Sequence, residues 1–142
     1  LYVIASARNE NKSLVGPVVG TLMSNLGLEK GLEAQGISFV RAEVGDRHVR
    51  KMLQDKGGQL GGEQSGHIID LRQATTGDGL VVALHILEII SQTGLSLAEL
   101  VADMPRYPQT LIDVPISKAI DLTESALVRK ALVKAEQQLA DR

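Results

Sequence analysis

Short apolar runs of strand length alternate with stretches of helical spacing through most of this chain, and that order restricts it to a layered α/β fold. The opening run "LYVIAS" reads as a buried strand, and "ARNENKS" as the polar loop after it. A strand is expected around 18–23, ending at Ser24 and Asn25. Leu28 and Leu32 then show helical spacing with Gly36 as the stop, and Gly27 and Gly31 each weaken that helix by roughly 1 kcal/mol relative to Ala. "ISFVRAEV" is the next strand. Asp46 is read as the N-cap of a helix that turns Val49, Met52 and Leu53 inward and stops at Gly57 and Gly58. "HIIDL" is a short strand, and "TTGDG" introduces a helix over about 80–93 that is apolar nearly all round and so expected to be buried. "SLAELVADM" is a short helix with Ser96 and Glu99 in capping-box positions. "PRYP" marks a domain boundary, beyond which "QTLIDVPIS" reads as a strand and 123–140 as an amphipathic helix. The predicted fold class is α/β: a mixed, mostly parallel sheet covered by helices, followed by a partial C-terminal α+β segment.

Composition narrows the function classes. A net charge of −2 and the lack of a basic stripe with interleaved aromatics give no reason to expect nucleic acid. Without cysteine, disulfides and thiolate metal sites are excluded. The only aromatics are Tyr2, Phe39 and Tyr107, so the core is aliphatic. The apolar stretch 80–90 is too short to span a bilayer and is interrupted by His85 and Glu88. No signal peptide is visible and the chain starts at Leu1 without an initiator Met, so it is read as a cytoplasmic fragment.

Ligands of open α/β sheets bind beyond the carboxyl ends of the strands. Three polar clusters fall at such junctions: Ser24 and Asn25; Asp46, Arg47 and His48; and the loop "GGEQSGH", with Glu63, Gln64, Ser65 and His67. In that loop a carboxylate accepts a fork of hydrogen bonds from vicinal hydroxyls, a serine donates and accepts, and glycines let backbone approach a sugar ring. The plainer reading is a turn shaped by Gly61, Gly62 and Gly66 with a solvated Glu63. From composition the two readings stand level.

Other chemistries fit less well. A nucleophile elbow needs G-x-S-x-G, and the residue two before Ser65 is Glu63. Glu63 and His67 are four apart on a glycine-rich loop, not on a helical face, and no HExxH occurs, so no metal site is assigned. Arg47, His48, Arg50 and Lys51 form a solvated helix face, with Arg47 set apart because it follows the expected cap at a strand's carboxyl end. His85 is read as a core histidine.

The motifs "GGEQSGH", "VGTLMSNLGLE", "VGDRHV" and "TTGDGLVVALHILEII", in this order and spacing, resemble the third domain of the α-D-phosphohexomutases, and among them the bacterial phosphoglucosamine mutases. His48 stands where Tyr is common in that branch. The resemblance implies a four-domain parent that interconverts glucosamine 6-phosphate and glucosamine 1-phosphate, on the route to UDP-N-acetylglucosamine and peptidoglycan. It implies a phosphoserine donor, a bisphosphorylated intermediate and a Mg²⁺ ion, with positioning and charge stabilisation carrying the transfer. By resemblance Glu63 and Ser65 hold sugar hydroxyls in both orientations of the intermediate. His67 touches the ligand or braces the loop, and Arg47 offers a further cleft-facing group.

No T-S-x-N-P-like serine loop, no D-G-D-x-D-R metal loop and no R-x-S-G-T-E-P phosphate loop occurs in this sequence. Set against the family, 1–14 reads as the tail of the second domain, 15–104 as the third, sugar-binding domain, and 105–142 as the start of the fourth. No catalytic residue and no metal ligand is assigned to the chain, which is expected to be inactive alone. Its expected partners are a hexosamine phosphate and the remaining domains of the parent, which family members often assemble into a homodimer through the first domain; no nucleic acid or membrane is expected. The alternatives are a fragment of a mutase acting on glucose or mannose phosphates, and a non-catalytic module that binds a sugar phosphate.

Overall fold

Val18 and Val19 are neighbours on one strand and both fully buried, yet their side chains join different hydrophobic clusters. Successive side chains on a strand point to opposite faces, so this sheet is covered on both sides. The computed structural model describes residues 1–113, 115 and 125–138. The sheet comprises β1 (Val18–Thr21), β2 (Phe39–Ala42), β3 (Leu60–Gly62) and β4 (Ile68–Asp70), in the order β2-β1-β3-β4. β1 runs parallel to β2 and β3, and β4 is antiparallel to β3. This is the mixed, mostly parallel sheet that the sequence predicts.

Five helices accompany the sheet: α1 (Tyr2–Glu10), α2 (Leu26–Ala34), α3 (Asp46–Lys56), α4 (Gly79–Thr93) and α5 (Leu97–Leu100). On one face Tyr2, Val3, Ile4 and Ala5 of α1 meet Leu32 of α2, Ile89 of α4, and Val18 and Leu60 of the sheet. On the other, Val49 and Leu53 of α3 cover Val19, Ala42 and Ile69. All of this lies within one compact unit, Leu1–Gln109, and residues from Thr110 onward form a second. Residues 1–14 thus belong to the first unit and supply four members of its core. The second unit contains α6 (Ala126–Gln138).

The structure corrects several expectations. "LYVIAS" is not a strand: residues 2–6 open α1, which continues through Glu10 into the stretch expected to be a polar loop. Leu1, Ile4, Ala5 and Arg8 share a helical face, and the repeat is masked in the sequence because its last member is an arginine. Gly45, not Asp46, is the N-cap of α3. β3 is not expected from the sequence, because "LGG" carries no strand signature. Of α4 only Ile89 is buried, while Leu80, Leu84 and Leu87 are exposed, because neighbours cover one side of the helix only. The strand expected over 109–117 has no regular structure at 109–113, and 114, 116 and 117 lie outside the described residues. The helix expected over 123–140 is present as Ala126–Gln138, and its outer residues 123, 124, 139 and 140 likewise lie outside.

Gly27 and Gly61 have a packing reason. A Cβ on Gly27 would sit 1.6 Å from the Pro105 carbonyl oxygen, and one on Gly61 would sit 2.7 Å from Val49 Cγ1. The helix-propensity cost at Gly27 is therefore accepted so that chain 104–107 can lie across the start of α2.

Arg8 arrives at its position for an electrostatic reason. Its guanidinium grips Asp70 at the end of β4 in a two-point ion pair, with Nη1 donating to Oδ1 at 3.0 Å and Nη2 donating to Oδ2. Both residues are about 95% buried, at 4% and 5% exposure. The Arg72 backbone N–H also donates to Asp70 Oδ1, at 3.2 Å, and His85 Nδ1 stands 3.6 Å from Oδ2. Removing one member of such a pair strands a buried charge, whereas replacing both with apolar residues of similar volume is often neutral. Asp70→Ala is expected to cost about 3–5 kcal/mol in urea denaturation, and Arg8→Met with Asp70→Leu far less. Equal losses in the two proteins would remove the ion pair as the cause.

Candidate functional site

Three parallel strands end on the same edge of the sheet and deliver three loops there: 22–25 after β1, 43–45 after β2 and 63–67 after β3. The first is held rigidly. Ser24 is 5% exposed; its N–H donates to the Thr21 carbonyl at 2.9 Å and its Oγ accepts from the Thr21 N–H at 3.0 Å. Arg41 on β2 donates to the carbonyls of Thr21 at 3.0 Å and Ser24 at 2.8 Å, while its other side pairs with Glu29 at 2.7 Å. Asn25 caps α2 by accepting from the Gly27 N–H at 2.8 Å, and its Nδ2 donates to the Tyr107 carbonyl at 2.7 Å.

The third loop is a tight hairpin connection between β3 and β4. The Glu63 N–H donates to the His67 carbonyl at 2.9 Å, and the Gly66 N–H donates to the Glu63 carbonyl at 3.1 Å. Gly66 has φ +93°, a left-handed conformation that side chains rarely adopt and that closes three-residue hairpin loops. Of the loop's glycines, Gly66 shapes the turn. Gly61 and Gly62 belong to β3, so close approach to a ligand is not needed to explain them.

Glu63 joins the second and third loops. Its Oε1 accepts from the Gly45 N–H at 2.9 Å, and Gly45 is the N-cap of α3. Gly45 makes no side-chain cap of its own, so a carboxylate from another loop takes that place in the favourable field of the helix N-terminus. The half-buried Glu63 also lines a cleft of about 770 Å³. Leu28, Ile68, Ile86 and Val101 contribute to an apolar floor, and Ser24, Asn25, Glu63, Gln64 and Arg106 are its polar members. An apolar floor with a few directed polar groups suits a small ligand that presents a carbon skeleton and hydroxyls.

The other three residues singled out from sequence occupy different surroundings. Ser65 is exposed in the hairpin loop and does not line the cleft. Arg47 is exposed in the first turn of α3, its Nε donating to His48 Nε2 at 3.2 Å. His67 Nε2 is buried without a hydrogen-bond partner among the described residues; Asp46 Oδ2 lies 3.9 Å away, beyond bonding distance. The imidazole fills the space beside Gly77, where a Cβ would come within 2.4 Å of Nε2. Arg106 was missed, because "PRYP" read as a chain break and a lone arginine there carries no motif. Ser24 and Asn25 were legible only as a polar cluster at a strand end.

Among the described residues no group of three or more His, Asp and Glu side chains is placed to hold a metal ion, and no helix is long and apolar enough to cross a membrane.

Comparison with known proteins agrees with the motifs. The family model described as phosphoglucomutase/phosphomannomutase, alpha/beta/alpha domain III, matches residues 1–107. The phosphoglucosamine mutase of Alkalilimnicola ehrlichii is 51% identical over 142 residues, 100% of this chain and 32% of its own. That of Nitrosococcus oceani is 52% identical over 141 residues, 99% of this chain and 31% of its own. The chain thus spans about a third of the length of these relatives. In three dimensions, a phosphoglucomutase/phosphomannomutase family protein from Burkholderia thailandensis superposes with a TM-score of 0.61 over 74% of this chain and 23% of its own, at 21% identity. At that identity the likeness speaks for the fold alone. Sequence match, fold and ordered motifs agree, and the chain belongs to the phosphoglucomutase/phosphomannomutase family, whose domain III it contains.

Proposed function

We propose that this chain is the sugar-recognition part of a phosphoglucosamine mutase, with 1–109 as the third of four domains and 110–142 as the opening of the fourth. The parent interconverts glucosamine 6-phosphate and glucosamine 1-phosphate in the cytoplasm, for UDP-N-acetylglucosamine and peptidoglycan synthesis. A phosphoserine elsewhere in the parent gives its phosphoryl group to the free hydroxyl of the sugar, and the phosphate at the other end then returns to the serine. Between these steps the bisphosphorylated sugar must present first one end and then the other. A homodimer through the first domain, common among family members, is part of the same reading.

The observation that carries this reading is Glu63, anchored by one oxygen to the Gly45 N–H at 2.9 Å while lining the cleft. A fixed carboxylate accepts from a pair of ring hydroxyls, and the pair can be exchanged end for end when the intermediate turns over. Ser65, on the same hairpin, supplies a hydroxyl that donates and accepts. His67 braces the loop against Gly77, and Arg47 adds positive charge toward the phosphate-bearing substrate. Mg²⁺ supplies charge neutralisation at the transferring phosphoryl group when it is bound in the parent. The described residues include no cluster of His, Asp and Glu that could hold it, and their part in this reading is to bind and orient the sugar.

Glu63→Ala in the full-length enzyme is expected to lower kcat/KM for glucosamine 6-phosphate at least a hundredfold, about 2.7 kcal/mol or more of transition-state binding. Unchanged turnover would remove Glu63 from the mechanism. Comparing glucosamine, glucose and mannose 1-phosphates in the same assay separates this branch from its sister mutases. Titrating the isolated 142-residue chain with glucosamine 1-phosphate is expected to give only weak binding. Sub-millimolar binding that Glu63→Ala abolishes would instead favour a self-sufficient module.

A further inference from the structure

Residues 104–109 form a strap beside the cleft, and one side chain fixes its path. Asn25 Nδ2 donates to the Tyr107 carbonyl at 2.7 Å, while its Oδ1 accepts from the Tyr107 N–H at 3.2 Å. The amide thus grips both backbone groups of one residue, as a paired antiparallel strand would. The same Nδ2 donates to Gln109 Oε1 at 2.9 Å, and Gln109 Nε2 donates to the Met23 carbonyl at 3.3 Å. Pro105 and Pro108 restrict the strap's backbone further, and the Pro105 carbonyl oxygen rests against Gly27. Between Pro105 and the gripped Tyr107 stands Arg106, exposed and lining the cleft. Glu63 and Arg106 are the two charged side chains in that lining. Among the described residues the Arg106 guanidinium has no carboxylate partner, unlike those of Arg8 and Arg41.

We propose that Arg106 binds a phosphate group of the sugar phosphate whose hydroxyls Glu63 accepts, and that Asn25 is the positioning residue that holds Arg106 at the cleft. Glu63 suits hydroxyls but repels a phosphate, so a ligand carrying both needs a cation in the same cleft. A guanidinium meets that need with a planar fork of N–H donors that matches two phosphate oxygens at once. An arginine on a free surface segment would have its backbone ordered at the ligand's expense. Here the strap is ordered when the chain folds, and only the side chain remains to be fixed on binding. A solvated surface arginine is the plainer reading, and it explains neither the place in the cleft lining nor the opposite charge across from Glu63. The inference rests on the sugar-phosphate reading above and adds the anionic half of the ligand to the hydroxyl half.

Steady-state kinetics of the full-length enzyme with glucosamine 6-phosphate test both residues. Arg106→Gln is expected to raise KM about tenfold while kcat stays within about twofold, the signature of lost uniform binding. Arg106→Glu should raise KM further, because it repels the phosphate; equal KM values in the two variants would leave no role for the charge and overturn the proposal. Asn25→Asp keeps the acceptor that caps α2 and loses the donor to Tyr107, so it should raise KM in the same sense. Combined with Arg106→Gln it should add nothing, because the clasp acts through the arginine. Additive effects would overturn the positioning role of Asn25. An unchanged KM in Arg106→Gln, with turnover still impaired by Glu63→Ala, would overturn the arginine assignment and leave the sugar-phosphate reading standing. If Glu63→Ala is also without effect, that reading falls and the proposal with it.

Discussion

The ion pair between Arg8 and Asp70 is the point from which the rest of the Leu1–Gln109 unit is set. It joins the last buried residue of the first helix to the last residue of β4, the strand antiparallel to β3. A buried charge pair tolerates little displacement, because each partner is stable in the interior only while it faces the other. The first helix is thereby fixed in register against the sheet. With it are fixed the cluster of Ile4, Val18, Leu32 and Leu60 and the floor of the cleft.

The same arrangement separates stability from recognition. Asp70 ends a strand running opposite to the other three, so the ion pair lies at one edge of the sheet and the three loops at the other. The parallel strands carry the loops outward in the same direction, and short internal bonds stiffen each loop before any ligand is involved. Arg41 does this for the first loop, tying two carbonyls to Glu29, and Glu63 does it for the second and third together. Sites on rigid elements hold their geometry better than sites on free loops.

Much of this was legible in the sequence. β1, β2 and β4, the helices α2 to α5, the mixed sheet and the loop carrying Glu63 all follow from periodicity, turn residues and motif order. What escaped did so for identifiable reasons. The first helix hid because its apolar run continues unbroken for five residues and its helical repeat ends in a charge. β3 hid because two of its three residues are glycines, kept by the closeness of Val49 to Gly61 and of the His67 carbonyl to Gly62 and not by any strand preference. The exposure of Leu80, Leu84 and Leu87 could not be read from the apolar pattern, since a helix covered on one side and one covered on both can have the same composition. The cleft's polar rim draws Arg106 and Asn25 together from distant positions, a tertiary fact that no local pattern encodes.

The bond from Gly45 to Glu63 has a thermodynamic consequence for binding. A free glutamate side chain gives up on the order of 1.5–2 kcal/mol of rotamer entropy when it is immobilised. Here that ordering happens when the chain folds, because one carboxylate oxygen is already committed to a backbone amide. A ligand reaching the remaining oxygen meets an acceptor whose direction is set beforehand, and binding need not supply the ordering again. In the mutase proposed above, whose intermediate lets go, turns and is caught a second time, such a fixed acceptor serves twice, once for each orientation.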